Sequence, residues 1–94
     1  MYASYIEFQH KPGKTAEAME MANQMEAELE QMGMKQFIIA DKGGDTSTLL
    51  AIYDTAEAQE AAGPKAAELL GRLADFFAAA PDRKQVEVPI NFTF

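Results

Sequence analysis

The sequence predicts an α+β domain with the element order β-α-β-β-α-β, and three observations point to it. Aromatic and β-branched residues form strand-like runs near both ends and at two central places. Alanine, methionine and leucine recur at helical spacing in two longer stretches, and glycine and proline punctuate the joins. A chain of 94 residues has material for one core, so residues 1–94 are expected to form one domain.

The first strand is "YASYIEFQH", residues 2–10. Strand alternation puts Tyr2, Ser4, Ile6, Phe8 and His10 on one face and Ala3, Tyr5, Glu7 and Gln9 on the other. Pro12-Gly13 ends it, because proline has no amide hydrogen for the ladder and glycine accepts turn dihedrals. A helix is expected from about Lys14 to Met32, with Ala18, Ala22, Met25, Leu29 and Met32 on its apolar stripe and Gly33 as its left-handed stop. The methionines at 19, 21, 25, 32 and 34 read as gap-filling core side chains, or as a soft binding surface.

"MKQFIIAD" and "TSTLLAIYD" follow as two strands joined by "KGGD", where paired glycines supply the positive φ of a tight hairpin. No Gly-Lys-Ser/Thr at a helix start follows those glycines, so they do not make a phosphate-binding loop. Asp54 and Glu57 have the spacing of a capping box, which starts the second helix near Thr55. "AAGP" interrupts that helix at Pro64. It then resumes with Ala66, Leu69, Leu70, Leu73, Phe76, Phe77 and Ala80 as its apolar stripe, up to Pro81. The last strand, "KQVEVPINFTF", places Val86, Val88, Ile90, Phe92 and Phe94 on one face, with Pro89 marking an edge or a bulge. Right-handed crossovers bring both helices to one face of a four-stranded antiparallel sheet of order 4-1-3-2, the ferredoxin-like arrangement.

Composition removes several kinds of chemistry. No cysteine is present, which excludes disulfides, zinc-thiolate sites, iron–sulfur clusters and thiol nucleophiles, and one histidine cannot build a multi-histidine metal centre. No metal centre and no metal-bearing cofactor are therefore expected; a carboxylate-only site for a hard cation stays open, but no regular Asp-x-Asp loop supports one. A net charge of −7 with eight scattered Lys and Arg is wrong for nucleic acid, whose phosphates require a basic face. Nothing resembles a signal peptide, and "AAELLGRLADFFAAA" carries Glu68, Arg72 and Asp75 and is shorter than the roughly 20 apolar residues that span a bilayer. A cytoplasmic protein without a membrane partner is expected.

The two central strands read "FIIA" and "LLAIY" without clean alternation, so both sheet faces are apolar although the helices cover only one. Burial of an exposed Leu or Ile contributes about 1.5–3 kcal/mol. The open face is therefore expected to pair with a second copy in a twofold homodimer.

The stretches "YIEFQHKPGKTAEAM", "MGMKQFIIAD" and "LLAIYDTAEAQEAAGPKAAELL" together resemble the antibiotic-biosynthesis-monooxygenase type of dimeric α/β-barrel domain, with its strand-"KPGK"-helix opening and its strand-to-helix corner. The resemblance spans nearly the whole chain and rests on structural motifs more than catalytic ones. It implies a dimeric barrel and, among the activities of such domains, cofactor-free oxygenation of quinols or polyketides, haem degradation or ligand binding. The haem-degrading branch has an asparagine, a tryptophan and a histidine where this chain has Ile6, Tyr53 and Ala62, so that activity is not expected.

For cofactor-free oxygenation the resemblance implies an apolar cavity between sheet and helices in which an electron-rich aromatic substrate is deprotonated and itself reduces oxygen. His10 and Tyr53 are the candidate catalytic residues. The imidazole would accept a substrate proton and the phenol would orient a hydroxyl, with Ile6, Phe8 and Phe37 as candidate contacts to a small apolar ligand. The alternatives are a strand-end histidine bonded locally, a core tyrosine, and a non-catalytic module that binds a small apolar molecule or only assembles.

Overall fold

The third strand organises the sheet, because the first and second both pair with it. In the computed structural model, which describes residues 1–94, the chain forms β1 (Tyr2–Gln9), α1 (Thr15–Asn23), α2 (Glu26–Glu30), β2 (Gln36–Gly43), β3 (Thr46–Tyr53), α3 (Ala56–Ala61), α4 (Gly63–Arg72) and β4 (Asp82–Glu87). The four strands make one antiparallel sheet in the order β2-β3-β1-β4, the ferredoxin-like topology predicted from the element order.

Alternation divides the sheet into two faces. On β1 the side chains of Ser4, Ile6 and Phe8 are buried while Glu7 and Gln9 are exposed, and on β3 every second residue from Ser47 to Tyr53 is buried. The buried set is the inner face, under the helices, and with Ala62 and Phe77 it forms the main core cluster. On the outer face Tyr5, Leu50 and Ile52 are half-buried, and Ile38 and Val86 are exposed at 42% and 41%.

Both predicted helices are broken rather than continuous. The first stops at Asn23, and the Met25 amide bonds three residues back to Ala22, a tight 3₁₀-type step, before α2 begins. That step leaves Met25 buried beside Ala18 and Ala22. Gly33 then turns the chain at φ 80°, the left-handed conformation expected of it.

The second helix is interrupted where Pro64 implied, with α4 carrying that proline in its first turn. Its cap is Thr55 rather than Asp54: the Thr55 hydroxyl accepts from the Ala58 amide at 3.1 Å. The predicted stripe to Ala80 is also corrected. α4 ends at Arg72, a 3₁₀ turn covers Ala74–Phe76, and Phe77 is extended. Phe77 leaves the helix because its neighbours complete the sheet: Lys11 donates to the Phe76 carbonyl at 2.7 Å and Ala78 to the Gln9 carbonyl at 2.8 Å, so Phe77 faces His10 across an antiparallel bridge.

The last strand starts at Asp82, two residues before the expected Lys84, and stops at Glu87. Beyond it Ile90, Phe92 and Phe94 are the most exposed large apolar side chains of the chain. No helix is long and apolar enough to cross a membrane.

Candidate functional site

Between the inner face and the helices lies a partly open cavity of about 60 Å³, 19 of whose 22 lining residues are hydrophobic. Its floor is the inner row of β1 and β3, and Phe37 and Ile39 of β2 extend it. Its roof includes Met19, Met25, Met32 and Met34, so unbranched, adaptable side chains close the space. The candidate contacts Ile6, Phe8 and Phe37 all lie on its wall, as do both candidate catalytic residues, His10 and Tyr53.

The two catalytic candidates nevertheless stand at opposite ends. Tyr53 pairs with Tyr2 at one end of β1, and His10 lies just past its other end. Eight residues of strand, at about 3.3 Å each, separate the two positions by about 26 Å. A single substrate hydroxyl cannot touch both. The expectation that Tyr53 orients the group that His10 deprotonates is therefore corrected on geometry.

At its own end His10 is held tightly. It is only 2% exposed, its backbone amide donates to the Asp45 carbonyl at 2.8 Å, and its ring lies 5.8 Å from the Phe8 ring and 5.9 Å from the Phe77 ring. Nε2 is 2.8 Å from Oγ of Ser47, which is itself fully buried. Nδ1 is buried and has no hydrogen-bond partner, the one such side-chain atom in the structure.

Asp45 fixes the loop after His10. Its φ is 61°, a left-handed conformation that aspartate tolerates better than most residues. In that position its carboxylate accepts from the Thr15 hydroxyl at 2.7 Å and the Gly13 amide at 3.3 Å. The hairpin tip thus ties the Pro12-Gly13 turn and the start of α1 to the strand end that carries His10.

The Tyr53 end holds a different group of polar side chains. Arg83 donates to Ser4 Oγ at 3.0 Å, and Gln59 reaches the same oxygen at 3.5 Å. Burial pushes the Tyr53 phenol up from its ordinary value, while the Arg83 guanidinium acts in the opposite direction. Arg83, Ser47, Gln59 and Phe77 were not legible as site residues. Arg83 fell outside the expected strand and Phe77 inside the expected helix; the signal available for Ser47 was its place in the inner phase of β3. No three His, Asp or Glu side chains converge as a metal centre would require.

No family model and no curated protein matches the chain. Solved structures do resemble it. A protein of unknown function from Nitrosomonas europaea superimposes with a TM-score of 0.83 at 17% identity, over 98% of this chain and 92% of that one. A "Putative antibiotic biosynthesis monooxygenase" from the same organism gives 0.78 at 18% identity, over 96% of this chain and 100% of that one. A dimeric ferredoxin-like protein from an uncultured marine organism gives 0.76 at 10% identity, over 99% and 91%. The ferredoxin-like fold is shared with all three.

Proposed function

We propose that this chain is a homodimeric α/β-barrel protein that takes a small, electron-rich aromatic molecule into the cavity beneath its sheet and oxygenates it without a cofactor. The observation that carries this reading is a nearly all-apolar cavity containing a buried imidazole with one nitrogen unpartnered. Apolar walls with few fixed polar groups are the usual composition of a small-molecule site. The fold likeness to the structure described as a "Putative antibiotic biosynthesis monooxygenase" agrees with it.

The chemistry balances without help from the protein's own redox groups. A quinol and dioxygen give a hydroxyquinone and water: the quinol supplies the electrons and both hydrogens of the water, and one oxygen atom enters the ring. The protein's part is to exclude water, hold the ring and hold the reacting oxygen, and this reading gives the last task to His10. Oxygen uptake with a panel of quinols tests this. Uptake above the protein-free rate, reduced about a hundredfold or more in His10→Ala, is the expected result. Equal rates for the two proteins would remove His10 from the reaction.

The non-catalytic reading is supported by the size of the cavity. About 60 Å³ is well below the roughly 300 Å³ at which pockets for drug-sized ligands begin, so a ring enters only when the methionines move. Under this reading quinols cause no oxygen uptake, and where the chain only assembles they leave the melting temperature unchanged as well. The dimer is proposed through the outer face, where Tyr5, Ile38, Leu50, Ile52 and Val86 form an apolar surface that no helix covers.

A further inference from the structure

We infer that the half-buried Arg83 is an anion-binding residue, and that the cavity takes an apolar ring carrying a carboxylate, to whose oxygens the guanidinium donates. The inference rests on the cavity being a ligand site and deepens that reading by naming the ligand's charged group and the residue that holds it.

The argument starts from how the cations of the chain are matched. The sequence has 15 Asp and Glu against eight Lys and Arg, so carboxylates are in excess. Lys14, Lys35, Lys42, Lys65 and Arg72 each stand in an ion pair with one or more of them. Lys11, Lys84 and Arg83 make no ion pair. The two lysines are exposed, and water solvates their ammonium groups. Arg83 is only partly exposed: it lies opposite Ile6 in the β1–β4 register, on the inner face, and lines the cavity.

The charged end of Arg83 is turned inward. Nη2 donates to Oγ of Ser4 at 3.0 Å, and Ser4 is only 2% exposed. Nη1 stands 3.8 Å from the point that a Cβ on Gly63, the first residue of α4, would occupy. The guanidinium therefore sits between β1 and the start of α4, where the buried Tyr53 phenol also feels its charge.

This end of the cavity is rich in donors and poor in acceptors. A guanidinium has five N–H groups and accepts nothing. Ser4 Oγ takes one of them and is also approached by Nε2 of Gln59 at 3.5 Å. Ser4, Gln59 and Tyr53 are uncharged at pH 7, so the cation has hydrogen-bonding neighbours and no counter-ion. A partly desolvated charge is stabilised by an opposite charge placed against it. A carboxylate fits the planar fork of a guanidinium at two points, which an amide or an alcohol does not. The apolar wall beside Arg83, with Ile6, Leu69 and Tyr53, is left to receive the ring. Ser4 lies toward the end of β1 away from His10, so this step concerns binding and does not involve the imidazole.

The test compares two probes of one shape and different charge. 2,5-Dihydroxybenzoate is itself a quinol and is ionised at pH 7; 2,5-dihydroxybenzamide is its uncharged counterpart. Calorimetry gives the affinities, and methyl NMR of Ile6 reports occupation of the cavity. The expected result is an acid that binds at least tenfold tighter than the amide, with Ile6 methyl shifts, and a preference that disappears in Arg83→Met. Arg83→Lys, which keeps the charge and loses the fork, should fall between, with melting temperature monitored in both variants to confirm folding. Equal affinities for acid and amide with Ile6 shifted overturn the inference and leave the ligand site standing. A preference for the acid that survives in Arg83→Met, or acid binding that leaves Ile6 unmoved while the amide shifts it, overturns it as well. If neither probe disturbs the Ile6 methyls, the ligand-site reading fails and takes this inference with it.

Discussion

The two faces of the sheet are built from the same strands with different chemistry. The inner face is closed: Ile6, Phe8, Leu49, Ala51 and Tyr53 are buried, and each polar member of its row, Ser4, Ser47 and His10, bonds to a neighbour. The outer face joins an apolar half, Tyr5, Leu50, Ile52, Ile38 and Val86, to a polar half where Lys42, Tyr5 and Thr48 all converge on Glu7. The inner face thus carries the stability of one chain and its candidate site. The outer face carries surface that a single chain leaves partly in water. One substitution per face separates these roles.

Ile6→Ala has the largest expected effect. It removes most of a buried side chain from the centre of the core and should cost about 2–5 kcal/mol, read by denaturant unfolding. A loss below about 1 kcal/mol would mean that the cavity had collapsed around the change, and the contrast between the faces would weaken.

Ile38→Asp comes next and probes the opposite face. Ile38 is 42% exposed in the single chain, so folding of the monomer should change little, by roughly 0.5 kcal/mol. A carboxylate placed in an apolar sheet-to-sheet contact should instead weaken the proposed dimer at least a hundredfold, as seen by sedimentation. The wild-type melting temperature should rise with protein concentration and that of the variant should not. A wild-type monomer at micromolar concentration would remove the outer face from any assembly role.

Much of this contrast was legible in the sequence, and the exceptions at the site share one cause. The inner row of β1 follows from period-two alternation, and "LLAIY" signalled a strand with two apolar faces. The turns at Gly33 and at Gly43-Gly44 followed from the dihedrals that glycine allows, whereas the left-handed Asp45 was not foreseen. What failed at the site depended on contacts distant in sequence, whereas the break of the first helix after Asn23 and the Thr55 cap are local departures. Phe77 sits in a good helical stripe, yet it is drawn out by pairing with the end of β1, 67 positions earlier. Arg83 reads as a loop cation until Ser4 is placed beside it. His10 and Tyr53 share an alternation phase and a cavity wall, and only the strand register reveals that they lie at opposite ends.

A smaller effect distinguishes the two ends of the inner face. Burial raises the Tyr53 phenol and Arg83 lowers it, so Arg83→Met should move the Tyr53 titration further upward. Ring-proton NMR against pH would follow each tyrosine separately. A downward movement would show that Arg83 excludes water from the phenol rather than stabilising its anion. Because His10 lies at the far end, its nitrogen signals should not change in this variant.

The smallest expected effects are electrostatic and compare the outer face with the helical layer. Lys42, helped by Tyr5, holds the Glu7 carboxyl down from 4.5 to about 2, and Arg72, helped by Lys65, does the same for Glu28. Each folded value lies below the unfolded one, so each contribution is fully present above about pH 4.5 and is lost as pH falls toward 2. All these side chains are well exposed, so salt should screen both contributions and the slope of stability against pH should flatten at high ionic strength. Glu28→Gln, which loosens α2 from α4, should remove its share of that slope equally in monomer and dimer. Glu7 lies on the outer face, so Glu7→Gln should also change the pH dependence of association. Equal behaviour of the two variants by sedimentation at pH 4 and pH 7 would place the dimer contact away from Glu7, toward the Val86 side of the same face.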